Sequence, residues 1–275
     1  MLLTITLLVL IGGLSAIIGS IVGIGGGIII VPTMVYLGVE HGLLHNITTQ
    51  VAIGTSSVIL IVTGLSSSLG YLKTKQVDIK NGSIFLFGLL PGSLLGSFIS
   101  RYLTFESFNL YFGIFLIFVA ILLMVRNKIK PFKIFDKPKY EKTYVDAKGK
   151  TYHYSVPPLF AFITTFLIGI LTGLFGIGGG ALMTPLMLIV FRFPSHVAVG
   201  TSMMMIFFSS VMSSIGHIAQ GHVAWGYAII LIISSYFGAK IGVKVNQSIK
   251  SDTVVTLLRT VMLLMGIYLI IRALI

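Results

Sequence analysis

Two glycine-rich segments are the residues of this sequence best suited to binding an anion. Each reads Gly-Ile-Gly-Gly-Gly, at residues 23–27 and 176–180, and a proline follows five residues later. Adjacent glycines at a helix start leave backbone N–H groups uncovered by any Cβ atom, and the positive end of the helix dipole adds to their attraction for an anion. We therefore predict substrate contacts at Gly25, Gly26, Gly27, Gly178, Gly179 and Gly180. Close packing of membrane helices is the alternative explanation for such glycines.

A second repeated motif, Ala-x-Gly-Thr-Ser, supplies hydroxyl groups. It occurs at residues 52–56 and again at 198–202. Neutral hydroxyl donors can replace part of the hydration shell of an anion and still release it. We therefore predict further substrate contacts at Thr55, Ser56, Thr201 and Ser202. Hydroxyls in membrane helices also bond to their own or a neighbouring helix, and this explanation is stronger for Ser66–Ser68 and Ser209–Ser214.

Three other side chains are candidates for contact with the substrate or with a proton. Gln50 and His196 occupy corresponding positions shortly before the two Thr-Ser motifs, and a titrating histidine could couple transport to protons. Arg259 lies about two turns into the last apolar segment, where a charge is costly and usually functional or paired. Snorkelling of its side chain to the membrane surface is the alternative.

Acidic side chains are absent from the interior of every predicted apolar segment. Glu40, Asp78, Glu106 and Asp252 all lie near segment ends. Cation carriers and proton pumps usually keep buried carboxylates as ligands or relays. We therefore expect an anionic substrate, and we expect no catalytic residue, no metal site and no cofactor.

The composition indicates that these motifs belong to a membrane protein. Hydrophobic residues make up 56% of the 275 positions and charged residues 9%, against roughly 45–50% and about 25% in soluble domains. The apolar segments predict an all-α membrane protein with about ten transmembrane helices. Their cores are 3–22, 25–39, 48–70, 82–100, 106–125, 157–175, 178–191, 197–216, 223–243 and 253–273. Segments 25–39 and 178–191 are shorter than the roughly 20 residues of a spanning helix, so eight full crossings with two broken or re-entrant helices is the alternative.

The chain divides into two related halves, residues 1–125 and 157–275. The glycine segments repeat at an offset of 153 positions and the Thr-Ser motifs at an offset of 146. The second offset also aligns glycines of the two halves: Gly70 with Gly216, Gly92 with Gly238, and Gly96 with Gly242. Five helices in each half is an odd number, so we predict two inverted-topology repeats, as in many secondary transporters. Four crossings in each half would make the repeats parallel.

A basic segment, residues 126–156, separates the halves. It holds nine of the nineteen Lys and Arg residues and predicts a cytoplasmic linker. With this linker inside and ten crossings, both termini lie outside and sixteen basic residues fall on the inner side. The net charge of +12 therefore reflects membrane topology rather than binding to nucleic acid. The expected partners are a small anion and the lipid bilayer, and the sequence leaves a homodimer open.

The glycine segments with Pro32 and Pro185, together with the two Ala-x-Gly-Thr-Ser motifs, resemble the sulfite exporter TauE/SafE family, also called the toluene sulfonate uptake permease family. The resemblance extends over both halves. It implies a multi-pass carrier in the cytoplasmic membrane of a bacterium or archaeon that moves sulfite, sulfonates or sulfoacetate, with proton coupling often proposed. Members differ in substrate and direction, so the resemblance leaves both open.

The predicted function is therefore secondary transport of a small sulfur-containing anion by alternating access, with proton coupling as one version. An anion channel is the nearest alternative, because helix N-termini also line anion pores. An intramembrane enzyme that uses His217 or His222 with a serine is the third candidate. The sequence has no Gly-x-Ser-x-Gly motif to support it.

Overall fold

The computed structural model of the protein describes residues 2–125, 141–145, 149 and 151–274. Helices make up most of this part of the chain, which confirms the prediction of an all-α membrane protein. The first half contains α1 (Leu2–Val22), α2 (Gly27–Val35), α3 (Thr49–Lys73), α4 (Ile79–Ile99) and α5 (Phe105–Val125). The second half contains α6 (Pro158–Phe175), α7 (Gly180–Ile189), α8 (Ser195–Ala219), α9 (Trp225–Ser248) and α10 (Ser251–Leu274).

Helix lengths separate α2 and α7 from the rest. Among the described residues, eight helices are long and apolar enough to cross a membrane. Helix α2 has nine residues, extended by a π-helical turn at Tyr36–Glu40, and α7 has ten. At 1.5 Å per residue, ten residues cover about 15 Å, half of a hydrocarbon core of roughly 30 Å. The described part of the chain thus contains eight candidate spans and two short helices, as expected for a multi-pass membrane protein.

The basic linker predicted at 126–156 lies partly outside the described residues. Its described part forms an antiparallel hairpin of strands β1 (Glu141–Val145) and β2 (Thr151–Ser155). The sequence analysis predicts no strands here, because the lysines and prolines of the segment indicate an irregular linker. The threonine, valine and tyrosine residues of both strands are nevertheless of the types that favour strands.

The long helices pair across the two halves rather than within them. Helix α1 packs along α9 and α4 along α6, and in each pair both helices run in the same direction. Helix α3 crosses α8, and α5 packs on α10, both in antiparallel orientation. Because each pair takes one helix from each half, the buried interior is built from both halves together.

Glycines mark the places where these helices approach most closely. A Cβ atom added at Gly96 would overlap the carbonyl oxygen of Ile170 on α6, and one at Gly242 would lie 2.5 Å from the carbonyl oxygen of Ile17 on α1. Gly96 and Gly242 are a pair that the 146-residue offset aligns. Small residues allow the close helix contacts that stabilise proteins in lipid, so many of the 31 glycines serve packing.

Candidate functional site

The two Gly-Ile-Gly-Gly-Gly segments form the turns between α1 and α2 and between α6 and α7. We call residues 23–27 the first glycine loop and residues 176–180 the second glycine loop. Each loop contains three glycines with positive φ, between 66° and 89°: Gly23, Gly25, Gly26, Gly176, Gly178 and Gly179. L side chains rarely adopt this conformation. Gly26 and Gly179 are the N-cap residues of α2 and α7, so no side chain caps either helix.

The two glycine loops lie against each other in the buried interior. A Cβ atom added at Gly27 would lie 2.8 Å from the Cα atom of Ile177, and one at Gly180 would lie 2.5 Å from the carbonyl oxygen of Gly23. Every residue of both loops is buried. The loops therefore pass each other in antiparallel orientation, and the structure brings the six predicted glycines into one region between the starts of α2 and α7.

Several backbone N–H groups at this crossing have no hydrogen-bond acceptor within the described residues. They belong to Gly26, Gly27 and Ile28 in one half and to Gly178, Gly179 and Ala181 in the other. The following N–H groups bond to the carbonyl oxygens of Gly26 and Gly179 and begin the helical pattern. Unpaired N–H groups at the positive end of a helix dipole attract anions. The crossing therefore brings together the N–H groups on which the predicted anion site depends, and binding of an anion there stays a prediction.

The serines of the Thr-Ser motifs bind the glycine loops. Ser56 Oγ donates a hydrogen bond of 2.9 Å to the carbonyl oxygen of Gly176, and Ser202 Oγ donates one of 2.9 Å to that of Gly23. Thr184 Oγ1 also donates to the carbonyl oxygen of Gly23, at 2.8 Å. Each half thus supplies a serine that holds the glycine loop of the other half.

The threonines of the same motifs bind the starts of two long helices. Thr55 Oγ1 accepts a hydrogen bond of 3.0 Å from the N–H of Ala224, and Thr201 Oγ1 accepts one of 2.9 Å from the N–H of Asp78. Ala224 and Asp78 are the N-cap residues of α9 and α4. All four hydroxyls of the two motifs therefore have backbone partners, and their contact with substrate stays a prediction.

Two aliphatic side chains fill the space beside the glycine loops. Leu60 on α3 and Ile206 on α8 are 146 positions apart, and both are 0% exposed. A Cβ atom at Gly25 would lie 2.9 Å from Leu60 and 3.1 Å from Ile206, and one at Gly178 would lie 2.9 Å from each. These two side chains therefore occupy the space beside the crossing of the two glycine loops.

Buried hydroxyls continue along α8 beyond Ile206. Ser209 Oγ lies 3.2 Å from the carbonyl oxygen of Gly178, to which it donates, and the hydroxyls of Ser213 and Ser57 are 3.1 Å apart. The hydroxyls of Ser210 and Ser214 are also buried but have no partner in the part of the chain that the structure describes. Sequence alone favours a packing role for Ser209–Ser214 and does not distinguish the paired serines from the unpaired ones. One signal was available, because the offset of 146 aligns Ser210 with a glycine, Gly64.

A buried histidine and a buried tyrosine occupy corresponding positions on α8 and α3. His217 Nε2 lies 3.1 Å from the carbonyl oxygen of Gly173, and Tyr71 Oη donates a 2.7 Å hydrogen bond to the carbonyl oxygen of Ser20. Because a carbonyl oxygen only accepts, Nε2 carries the hydrogen and Nδ1 of the neutral ring is an acceptor. That Nδ1 has no partner among the described residues.

The two histidines considered for enzyme chemistry lie near each other at one end of α8. The ring centres of His217 and His222 are 6.3 Å apart. Burial lowers the pKa of His222, which lies in the connection between α8 and α9, so its ring is neutral at neutral pH. No serine hydroxyl bonds to either ring within the described ranges. The arrangement therefore lacks the serine–histidine hydrogen bond that an activated nucleophile needs.

Comparison with known proteins decides the family. The family model described as "Sulfite exporter TauE/SafE" matches residues 8–269. The chain belongs to the sulfite exporter TauE/SafE family. It is 43% identical over 264 residues to the probable membrane transporter protein YunE of Bacillus subtilis, which covers 96% of each chain. It is 26% identical over 279 residues to a probable membrane transporter protein of Methanocaldococcus jannaschii, with 98% of this chain and 96% of the relative covered.

The TauE/SafE match also reaches plant proteins over a shorter region. Sulfite exporter TauE/SafE family protein 2 of Arabidopsis thaliana is 38% identical over 90 residues, which are 33% of this chain and 19% of that protein. No solved structure matches the chain significantly. The family and the names of the relatives confirm the resemblance seen in the motifs and indicate a membrane transporter rather than an enzyme.

The remaining candidate residues of this TauE/SafE member lie away from the glycine loops. Gln50 Nε2 donates a 2.7 Å hydrogen bond to the carbonyl oxygen of Leu103, and Gln50 lines a surface cavity of about 370 Å³ that also includes Arg101. Arg259 is half-buried on α10. No described contact brings either Gln50 or Arg259 to the loops, so their contact with substrate stays a prediction.

His196 is linked to the end of α1 through an asparagine. Its Nδ1 lies 3.0 Å from Asn246 Oδ1, and Asn246 Nδ2 donates a hydrogen bond of 2.5 Å to the carbonyl oxygen of Ile21. Ile21 is two residues before the first glycine loop. The histidine is therefore connected to that loop through hydrogen bonds and the backbone, and its contact with substrate or a proton stays a prediction.

Proposed function

We propose that this TauE/SafE family member is a secondary transporter that moves a small sulfur-containing anion across the cytoplasmic membrane by alternating access. The observation that carries the proposal is the buried crossing of two glycine loops, where N–H groups of two helix starts have no acceptor in the described part of the chain. The substrate class follows from the name of the family, whose model is described as a sulfite exporter. Sulfite, sulfonates and sulfoacetate all present the oxygen atoms that such N–H groups bind.

Alternating access requires two parts of the molecule to move about a central site. The antiparallel packing of α3 on α8 and of α5 on α10 supports two inverted repeats, because each pair joins corresponding helices of the two halves. Leu60 and Ile206, which both lie against Gly25 and Gly178, are the barrier in this conformation. We infer that rocking of one half against the other separates these side chains and opens the crossing to one side at a time.

The same proposal gives the orientation in the membrane. Helices α3 and α9 run in the same direction, since Ser66 lies beside Tyr236 and Gly70 beside Val243. Their C-terminal parts carry Lys73, Lys240 and Lys244. The positive-inside rule assigns that end to the cytoplasm, with the linker 126–156 on the same side and both termini outside. The chain contains no cysteine, so single introduced cysteines can report which end a membrane-impermeant thiol reagent reaches.

Uptake into proteoliposomes tests the transport proposal. The purified protein should take up labelled sulfite, sulfoacetate or taurine with saturable kinetics, and chloride serves as the comparison anion. Each anion is measured with and without a pH gradient, and protein-free liposomes are the control. A dependence on the gradient would support proton coupling.

Three outcomes would contradict the proposal in different ways. Saturable uptake of none of the sulfur anions would remove the substrate class. A conductance in planar bilayers far above carrier turnover would favour an anion channel. Recovery of a chemically altered compound from the liposome interior would favour an enzyme.

A further inference from the structure

The two glycine loops differ in the side chains beside them. A Cβ atom added at Gly178 in the second loop would lie 3.1 Å from Ser210 Oγ. The corresponding contact is missing at Gly25 in the first loop, because the residue that corresponds to Ser210 is Gly64. A Cβ atom at Gly64 would lie only 2.7 Å from the backbone nitrogen of Phe207, so the packing of α3 on α8 excludes any side chain there. A serine hydroxyl of this kind can therefore stand beside the second loop and not beside the first.

The Ser210 hydroxyl is buried and unpaired. Its side chain is 0% exposed, and Oγ has no hydrogen-bond partner among the described residues. Buried polar groups are almost always hydrogen-bonded in native proteins, and the rare exceptions call for an explanation such as a ligand. The neighbouring Ser209 differs, because its hydroxyl donates to the carbonyl oxygen of Gly178. The Ser210 hydroxyl therefore has no acceptor among the described residues. It lies beside the second glycine loop, where the N–H groups of Gly178 and Gly179 also have none.

A second unpaired hydroxyl lies one helical turn further along α8. Ser214 is 2% exposed, and its Oγ also has no partner within the described part of the chain. Residues four positions apart lie on the same face of a helix, so Ser210 and Ser214 form one line. The line leads from the second glycine loop toward the end of α8 that carries His217.

We propose that the anion binds at the second glycine loop alone, held by the N–H groups of Gly178 and Gly179 and by the hydroxyl of Ser210. Ser214 is the next contact along its route. The first glycine loop acts as the packing partner that keeps the second in place. The ligand is a small oxyanion whose oxygen atoms accept from neutral donors. This inference rests on the proposed function and adds which loop binds and which side chain determines affinity.

The test compares Ser210→Ala with matched serine variants in the full-length protein in proteoliposomes. The probe is sulfite, or sulfoacetate if the wild type takes up that oxyanion better. Loss of one hydrogen bond to a charged ligand should raise KM by about tenfold or more. Ser214→Ala should raise KM by a smaller factor. The controls are Ser213→Ala, whose hydroxyl is paired with Ser57, and Ser68→Ala, which corresponds to Ser214 in the first half; both should change KM by less than about twofold.

The melting temperature in detergent separates a ligand contact from a structural role. Removing a hydroxyl that has no protein partner should leave the melting temperature of Ser210→Ala within about 2 °C of the wild type. Sulfite should raise the melting temperature of the wild type, and this increase should be lost in the variant. An unchanged KM, or a variant that melts well below the wild type without ligand, would overturn the inference and leave the transport proposal standing. A wild type that takes up none of the anions would overturn both.

Discussion

The first and second glycine loops share a backbone and differ in their side-chain surroundings. Both contain three positive-φ glycines, both start a short helix, and both receive a hydrogen bond from a serine of the other half. The carbonyl oxygen of Gly23 has a second hydroxyl donor in Thr184, whereas the second loop has Ser209 on Gly178 and the unpaired Ser210 beside it. The shared features hold the two loops in place, and the differences lie at the second loop, where we propose that the ligand binds.

A duplicated motif need not contribute equally to ligand binding at its two copies. The repeated Thr-Ser hydroxyls have backbone partners in both halves, because the serines bond to the glycine loops and the threonines to the starts of α9 and α4. The unrepeated position, Ser210 against Gly64, is where an unpaired donor remains. A position that breaks the repeat is thus a better indicator of the binding residue here than the repeat itself.

The largest expected effect concerns two close backbone contacts at corresponding glycines of the two halves, Gly54 and Gly200. A Cβ atom at Gly54 would overlap the carbonyl oxygen of His222, and one at Gly200 would overlap that of Gln76. Overpacking against backbone costs about 1–3 kcal/mol and occasionally more, so Gly54→Ala and Gly200→Ala should both sharply reduce the yield of monodisperse protein in size-exclusion chromatography. Gly226→Ala, where a Cβ atom meets nothing within 4 Å, is the control. A normal yield of one of the two variants would mean that the close contact is required in one half and not in the other.

A smaller effect should separate the two N-cap glycines. Gly26 and Gly179 both have positive φ, which costs a non-glycine residue about 1–2 kcal/mol. A Cβ atom at Gly26 would also lie 2.6 Å from the carbonyl oxygen of Ser15, whereas at Gly179 the nearest atom is Thr172 Oγ1 at 3.1 Å. Gly26→Ala should therefore melt at a lower temperature than Gly179→Ala.

Sulfite uptake by Gly26→Ala and Gly179→Ala is measured as well, because it distinguishes loss of stability from loss of the binding site. Gly179→Ala adds a methyl group beside the proposed anion, so we expect folded protein with reduced sulfite uptake. Equal melting temperatures for the two variants would argue against the packing difference. Full uptake by Gly179→Ala would argue against a site at the second loop.

A smaller difference in stability is expected between variants of the two serines that bind the glycine loops, Ser56 and Ser202. Ser56→Ala removes the hydroxyl donor to the carbonyl oxygen of Gly176, whereas Ser202→Ala leaves Gly23 with Thr184 as a donor. Hydrogen bonds between membrane helices are worth about 0.6 kcal/mol on average and up to about 1.7. We expect Ser56→Ala to lower the free energy of unfolding by about 1.7 kcal/mol and Ser202→Ala to lower it by about 0.6 kcal/mol. Unfolding in denaturing detergent measures both values. The reverse order would mean that Thr184 does not replace Ser202.

The smallest expected effect is that of His196→Gln. Glutamine is the residue at the corresponding position 50, and its amide can still bond to Asn246. Stability should therefore change by less than about 0.5 kcal/mol, and uptake driven by a concentration gradient should persist. Uptake is then measured with a pH gradient. Loss of its effect in this variant alone would assign the proton contact to His196, as the sequence suggests.

Local signals in the sequence are sufficient to predict the helices, whereas the anion site at the glycine segments stays a prediction. Hydrophobic length specifies the long spans, and glycine and proline specify the two short helices that start at Gly27 and Gly180, because these signals depend on neighbouring residues only. The same local signals miss the hairpin of β1 and β2, where strand-favouring residues are interspersed with lysines and a glycine.

Which hydroxyls have partners is set by the packing of helices that are far apart in the sequence. Ser56 bonds to Gly176 and Thr55 to Ala224, residues 120 and 169 positions away, and no local pattern encodes such a pairing. The sequence therefore ranks the repeated Thr-Ser motifs above Ser210, whereas the described contacts leave Ser210 without a hydrogen-bond partner and give one to each hydroxyl of the motifs. A hydroxyl is available to a ligand only if the packing of distant helices leaves it without an acceptor, and that depends on the whole arrangement of α3, α6 and α8.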